Sequence, residues 1–204
     1  MGFINKSIFL DSKYFNFMDI TYRLAQSSLF FWIYLLRHFI LTGFTLSFCI
    51  LLESVNEILS GNGLSIRQLF HQKSQQYKQY KALSVITVLL MVYLSAFTFL
   101  PFPEFINVQI SSFIKYSSLY LLIVFLIVTI YINWNIIELN LSLEKAIFYA
   151  FYLMIRHFIR SFLLLVMLLI ITFLSVKNIV FLIFFAPSIL AMVTRFITQG
   201  LYKN

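Results

Sequence analysis

The chain reads as an all-α membrane protein, a polytopic helix bundle forming a single integral membrane domain over residues 1–204, with about five transmembrane helices plus cytoplasmic interfacial amphipathic helices. Three observations predict this. Of 204 residues, 61% are hydrophobic and only 11% charged, with a mean hydropathy of +0.92, whereas a soluble domain carries about a quarter charged residues. So short a chain has too little interior to hide that much Leu, Ile and Phe. Its apolar runs, LLIVFLIVTI and LLLVMLLIITFL among them, lack the period-two alternation of a lipid-facing barrel strand.

The N-terminal stretch MGFINKSIFLDSKYFNFMDITYR has neither an uninterrupted apolar region nor a small-residue cleavage site, so it is not expected to act as a removable signal peptide. Lys6 at the sixth position argues against N-myristoylation. The first predicted span covers residues 24–52. An alternative splits residues 24–59 into two short helices hinged at Gly43, which adds a crossing and places both termini on one side. Gly61-Asn62-Gly63 can cap this helix, since glycine tolerates the left-handed conformation.

The basic segment 61–81, GNGLSIRQLFHQKSQQYKQYK, follows without a single acid. Ile66, Leu69, Phe70, Tyr77 and Tyr80 recur at helical spacing, predicting an amphipathic helix with Arg67, Lys73, Lys78 and Lys81 available for lipid or partner contact. Spans at 82–100 and 117–134 come next, separated by Pro101 and Pro103, which bar helix continuation. A span at 161–176, the polar turn Lys177-Asn178 and a last span at 179–199 complete the chain. Pro187 predicts a kink in that last span.

Counting Lys and Arg orients the bundle. Arg67, Lys73, Lys78, Lys81, Lys145, Arg156, Arg160, Arg195 and Lys203 would lie inside, against Lys6, Lys13, Arg23, Lys115 and Lys177 outside. The expectation is a multi-pass protein of a bacterial cell membrane with a cytoplasmic C-terminus and an external N-terminus. A net charge of +8 would suggest nucleic acid in a soluble chain. Here the cations are divided among short loops, which fits anionic headgroups and excludes nucleic acid as a partner.

Charged groups at membrane depth are costly and therefore candidates for function. Arg37-His38-Phe39-Ile40 recurs as Arg156-His157-Phe158-Ile159. The repeat reads either as two interface anchors or as an internal site pairing Arg37 and His38 with Arg156 and His157. Glu53 and Glu57, one turn apart, form a helix-end acidic pair that could hold a cation or meet the basic segment. Ala146 and Ala150 suit close helix packing. Cys49 reads as a small buried hydrophobe. With no C-x-x-C, H-E-x-x-H, G-x-S-x-G or phosphate-binding loop, the expectation is no metal, no cofactor and no catalysis.

Several features together carry a resemblance. They are Tyr22-Arg23 before a Trp-bearing first span, Ile66-Arg67-Gln68-Leu69-Phe70 ahead of a Lys/Gln/Tyr-rich approach, Glu144-Lys145-Ala146 with a basic helix, and a Pro-containing last span. In these the chain resembles the YesL family of small bacterial membrane proteins, which share a domain of unknown function. Members are commonly encoded beside carbohydrate ABC importers and polysaccharide-degrading enzymes. The resemblance implies an accessory role in ABC-dependent sugar uptake, with permease or other membrane subunits and lipids as partners, and no catalytic residues. The alternative is a small solute-binding subunit or carrier, resembling the vitamin-binding components of energy-coupling transporters.

Overall fold

A computed structural model describes residues 4–61, 65–103, 107–199 and 201, with side chains from Phe17 onward. Nine α-helices follow one another among the described residues: α1 (Ile4–Arg37), α2 (Phe39–Leu59), α3 (Ile66–Gln76), α4 (Lys81–Phe99), α5 (Val108–Leu139), α6 (Leu143–Arg156), α7 (Phe158–Lys177), α8 (Ile179–Phe184) and α9 (Ala186–Thr198). A 3₁₀ turn, Tyr77–Tyr80, joins α3 to α4. The described residues contain no strand, and the protein is an all-α bundle as expected. Among the described residues, four helices are long and apolar enough to cross a membrane: α2, the continuous run Ile66–Phe99, α5 and α7.

The first predicted span is where the structure departs most from expectation. The helix expected over 24–52 is interrupted at His38, and Phe39 turns the chain with φ of 55°. The break is a hairpin: the Ser27 and Ser54 hydroxyls meet at 3.0 Å, and Gly43 packs back on Leu35. Gly43 is therefore not the hinge. It is helical and buried, and a Cβ there would sit 3.1 Å from the Leu35 carbonyl oxygen and 3.0 Å from His38 Cβ. Only a residue without a side chain lets the two backbones approach so closely. An external N-terminus opposite the 61–81 segment followed from one continuous helix. It does not follow from a hairpin, which returns the chain toward the end where α1 begins.

Helix α2 is the centre of the molecule. It is 61% buried over its apolar window, against 17–28% for the other three long apolar helices. The run Cys49–Leu52 is at most 1% exposed. Around α2 pack α1, α4, α5 and α9. Gly61, with φ of 76°, ends α2 in the left-handed conformation expected of it, while Asn62 and Gly63 lie outside the described residues.

Helix α5 extends well past the predicted 117–134 at both ends. The Asn107 side chain caps its start by accepting from the Gln109 N–H at 3.0 Å. Asn140, in the left-handed region, stops it. Asn135 then reaches across to donate to the Ala146 carbonyl at 3.2 Å. Ala146 and Ala150 are fully buried in this contact, as their spacing predicted.

The last predicted span, 179–199, is not one helix. It breaks at Phe185 into α8 and α9, with Pro187 in the first turn of α9. Proline has no N–H to donate to the carbonyl four residues earlier. That carbonyl belongs to Ile183, and it accepts instead from Trp32 Nε1 at 3.2 Å. The next amide, Ser188, donates to Ser28 Oγ at 3.2 Å, and the Ser188 hydroxyl donates to the Leu24 carbonyl at 2.7 Å. Helix α1 thus supplies one donor and two acceptors at a break that would otherwise leave backbone groups unpaired.

Two substitutions test this frame. Trp32→Phe keeps an aromatic ring but removes the N–H, and should destabilise the protein by about 1 kcal/mol, read as a lower melting temperature in mild detergent. Gly43→Val should cost roughly 1–3 kcal/mol by forcing α1 and α2 apart. A melting point unchanged by Gly43→Val would show that the contact tolerates bulk.

Candidate functional site

The basic segment is helical as expected, and its placement creates a polar concavity against α1. Ile66, Leu69, Phe70, Ser74 and Tyr77 are buried, with Phe70 fully so. The Phe70 ring lies 5.6 Å from Phe30 and 5.3 Å from Tyr34, anchoring α3 across α1. This leaves Arg67, Gln68, His71 and Gln72 exposed. Between them and α1 runs an open groove of about 700 Å³, lined by Phe30, Ile33, Tyr34, Arg37, Ser65, Arg67, Gln68, His71 and Gln72.

Arg37 and Arg67, distant in sequence, therefore share one groove with His71. No acidic residue lines it, and among the described residues neither arginine makes a salt bridge. His38, at the hairpin turn, lies within range of the charges of Arg37, Lys78 and Lys81. Those two exposed lysines so extend the positive field from the groove to the hairpin. Lys73 is the exception in the basic segment. It points inward and pairs with Glu53 at 3.0 Å.

That pair opens a second polar cluster, along α2. The Tyr77 hydroxyl lies beside the Glu53 carboxylate. One turn along α2, Cys49 Sγ approaches Asn133 Oδ1 at 3.3 Å, and Asn133 Nδ2 donates to the Thr129 carbonyl at 2.7 Å. Cys49 is buried as expected, but among polar partners. Glu57 is half-buried one turn beyond Glu53. Among the described residues, no three His, Cys, Asp or Glu side chains converge as metal ligands would.

The repeated Arg-His-Phe-Ile has a shared structural meaning. In both copies Arg ends a helix, His is the break and Phe begins the next helix. The two copies do not build one site. His38 is surrounded by Arg37, Lys78 and Lys81, whereas the charges near His157 are those of Arg160 and Arg156. Arg156 turns back on its own helix, donating to the Tyr152 hydroxyl at 2.6 Å while lying 5.6 Å over that ring. Desolvation and then the two neighbouring arginines hold the His157 imidazole below its ordinary range.

Residues that the sequence reading passed over are the uncharged polar ones: Ser28, Ser188, Asn133, Asn135 and Trp32. Asn133 and Asn135 interrupt an apolar run, and that was their signal, since an unpaired amide at such depth is costly and needs a partner. Comparison of the chain with protein-family models, curated proteins and solved structures finds no match in any of the three.

The Glu53–Lys73 pair can be measured directly. Its side chains are 16% and 38% exposed, so screening limits its worth. Glu53→Gln should cost about 1–2 kcal/mol. A double-mutant cycle with Lys73→Met should return a coupling of the same sign, and additive single effects would show that the pair contributes nothing.

Proposed function

We propose that this chain is a non-enzymatic bacterial membrane protein that serves as an accessory or regulatory component of a carbohydrate ABC transport system. The observation that carries the reading is the contrast between one buried helix and three exposed apolar ones. Helix α2 is enclosed, while the windows of Ile66–Phe99, α5 and α7 are 22%, 28% and 17% buried. Phe158, Ile159, Phe162, Phe173 and Val176 on α7 alone offer a long apolar face. Such a face in a short chain suits packing against permease helices, and the resemblance to YesL proteins supplies the carbohydrate context. In this reading α3 presents the cationic side to the cytoplasm, and the C-terminus lies on that side.

Affinity purification of the tagged full-length chain from its own membranes in mild detergent tests the proposal. Recovery of permease subunits, weakened by aspartate substitutions at Phe162 and Phe173, is the expected result. Recovery of the chain alone, or only with copies of itself, would overturn it.

A further inference from the structure

The groove between α1 and α3 combines two features, a cationic lining and an adjoining apolar tip. Its floor and rim are cationic and rich in donors: two guanidiniums from different elements, the His71 ring, the Gln68 and Gln72 amides and the Ser65 hydroxyl. Beside it, the tip of the α1–α2 hairpin is strongly apolar and uncovered. Leu36 is 67% exposed, Phe39 79%, Ile40 53% and Leu41 46%. In water such a tip would be unfavourable, and it calls for an acyl environment. Arg37 stands between Leu36 and the turn, yet lines the groove with Arg67. A guanidinium so placed can keep its stem along apolar surface while its head reaches a polar layer.

We infer that this groove binds the phosphodiester headgroup of an anionic phospholipid. Arg37 and Arg67 hold the phosphate oxygens, and the lipid's chains run along Ile33, Leu36 and the hairpin tip. Two guanidiniums suit a phosphate because each presents paired donors to its oxygens. The amides and hydroxyl suit the uncharged part of a headgroup. Lys78 and Lys81 add attraction to a negatively charged leaflet without touching the bound molecule. The apolar tip is what favours a lipid over a soluble phosphate, for which it would do nothing. The inference does not depend on a transporter partner, so the purification experiment can fail while this one succeeds.

The test reconstitutes the full chain into nanodiscs of phosphatidylcholine with increasing phosphatidylglycerol and follows bound phosphatidylglycerol by native mass spectrometry. Saturable retention is expected. Arg67→Gln and Arg37→Gln should each weaken it roughly fivefold, and together roughly thirtyfold. Lys115→Gln, which removes a cation outside the groove, should leave it unchanged. Arg67 is exposed on α3, so its variant tests the site even where Arg37→Gln disturbs the hairpin. Equal effects of Lys115→Gln and the two groove variants would reduce the result to bulk charge and overturn the inference. Displacement of the lipid by inorganic phosphate would overturn it in favour of a soluble anion, and absence of saturable retention would overturn it outright.

Discussion

The close approach of α1 to α2 supports nearly every other feature of this fold. At Gly43 the two helices come within van der Waals reach of one another's backbone, and the hairpin that results carries α1 along the outside of the most buried helix. From there α1 reaches in three directions. Ser27 joins it to α2, Ser28 and Trp32 join it to the α8–α9 junction, and Phe30 and Tyr34 receive Phe70 of α3. Without α1 in that position, the Ile183 carbonyl would lose its donor and the basic helix its anchor.

The junction between α8 and α9 shows why apolar surroundings make such dependence strict. In water an interrupted helix can hand its free amides and carbonyls to solvent. In a bundle with so much apolar surface they must find protein partners. Pro187 removes one donor, the chain bends, and α1 side chains take over both loose ends. Asn133 and Asn135 do comparable work elsewhere, tying α5 to its own previous turn and to α6. The polar interior is thus a set of local pairings distributed along α2 and its neighbours, some closing an interrupted helix and others tying one helix to the next.

Charge is organised differently. Glu53 draws Lys73 inward, so the remaining cations of the basic segment face outward with no acid among them. The hairpin then adds Arg37 to the same surface. A groove of two guanidiniums beside an uncovered apolar tip is an arrangement of opposites, stable where a lipid headgroup region meets its acyl layer. The second Arg-His pair, by contrast, spends Arg156 on Tyr152 and does not line the α1–α3 groove.

Much of this was legible in the residues. Composition and the absence of period-two alternation determined the all-α class, because only helices and closed barrels satisfy backbone groups in an apolar medium and the missing alternation rules out the barrel. Apolar runs set α4 to within one residue and α7 to within three, since length and hydropathy act locally. Periodicity placed the buried face of α3 correctly. Tertiary structure decided what periodicity does not encode. A two-helix reading of residues 24–59 was open from the sequence, but it put the hinge at Gly43 and not at His38, because Phe39 is an ordinary helix residue until packing at Gly43 compensates its left-handed φ. The break at Phe185 looked like a kink because the partners that stabilise it, Ser28 and Trp32, lie more than a hundred residues away. Arg37 and Arg67 share a groove only because a hairpin and a crossing helix bring them together. Local chemistry can be read one residue at a time, but the pairing of distant backbone and side-chain groups depends on where the whole chain puts them.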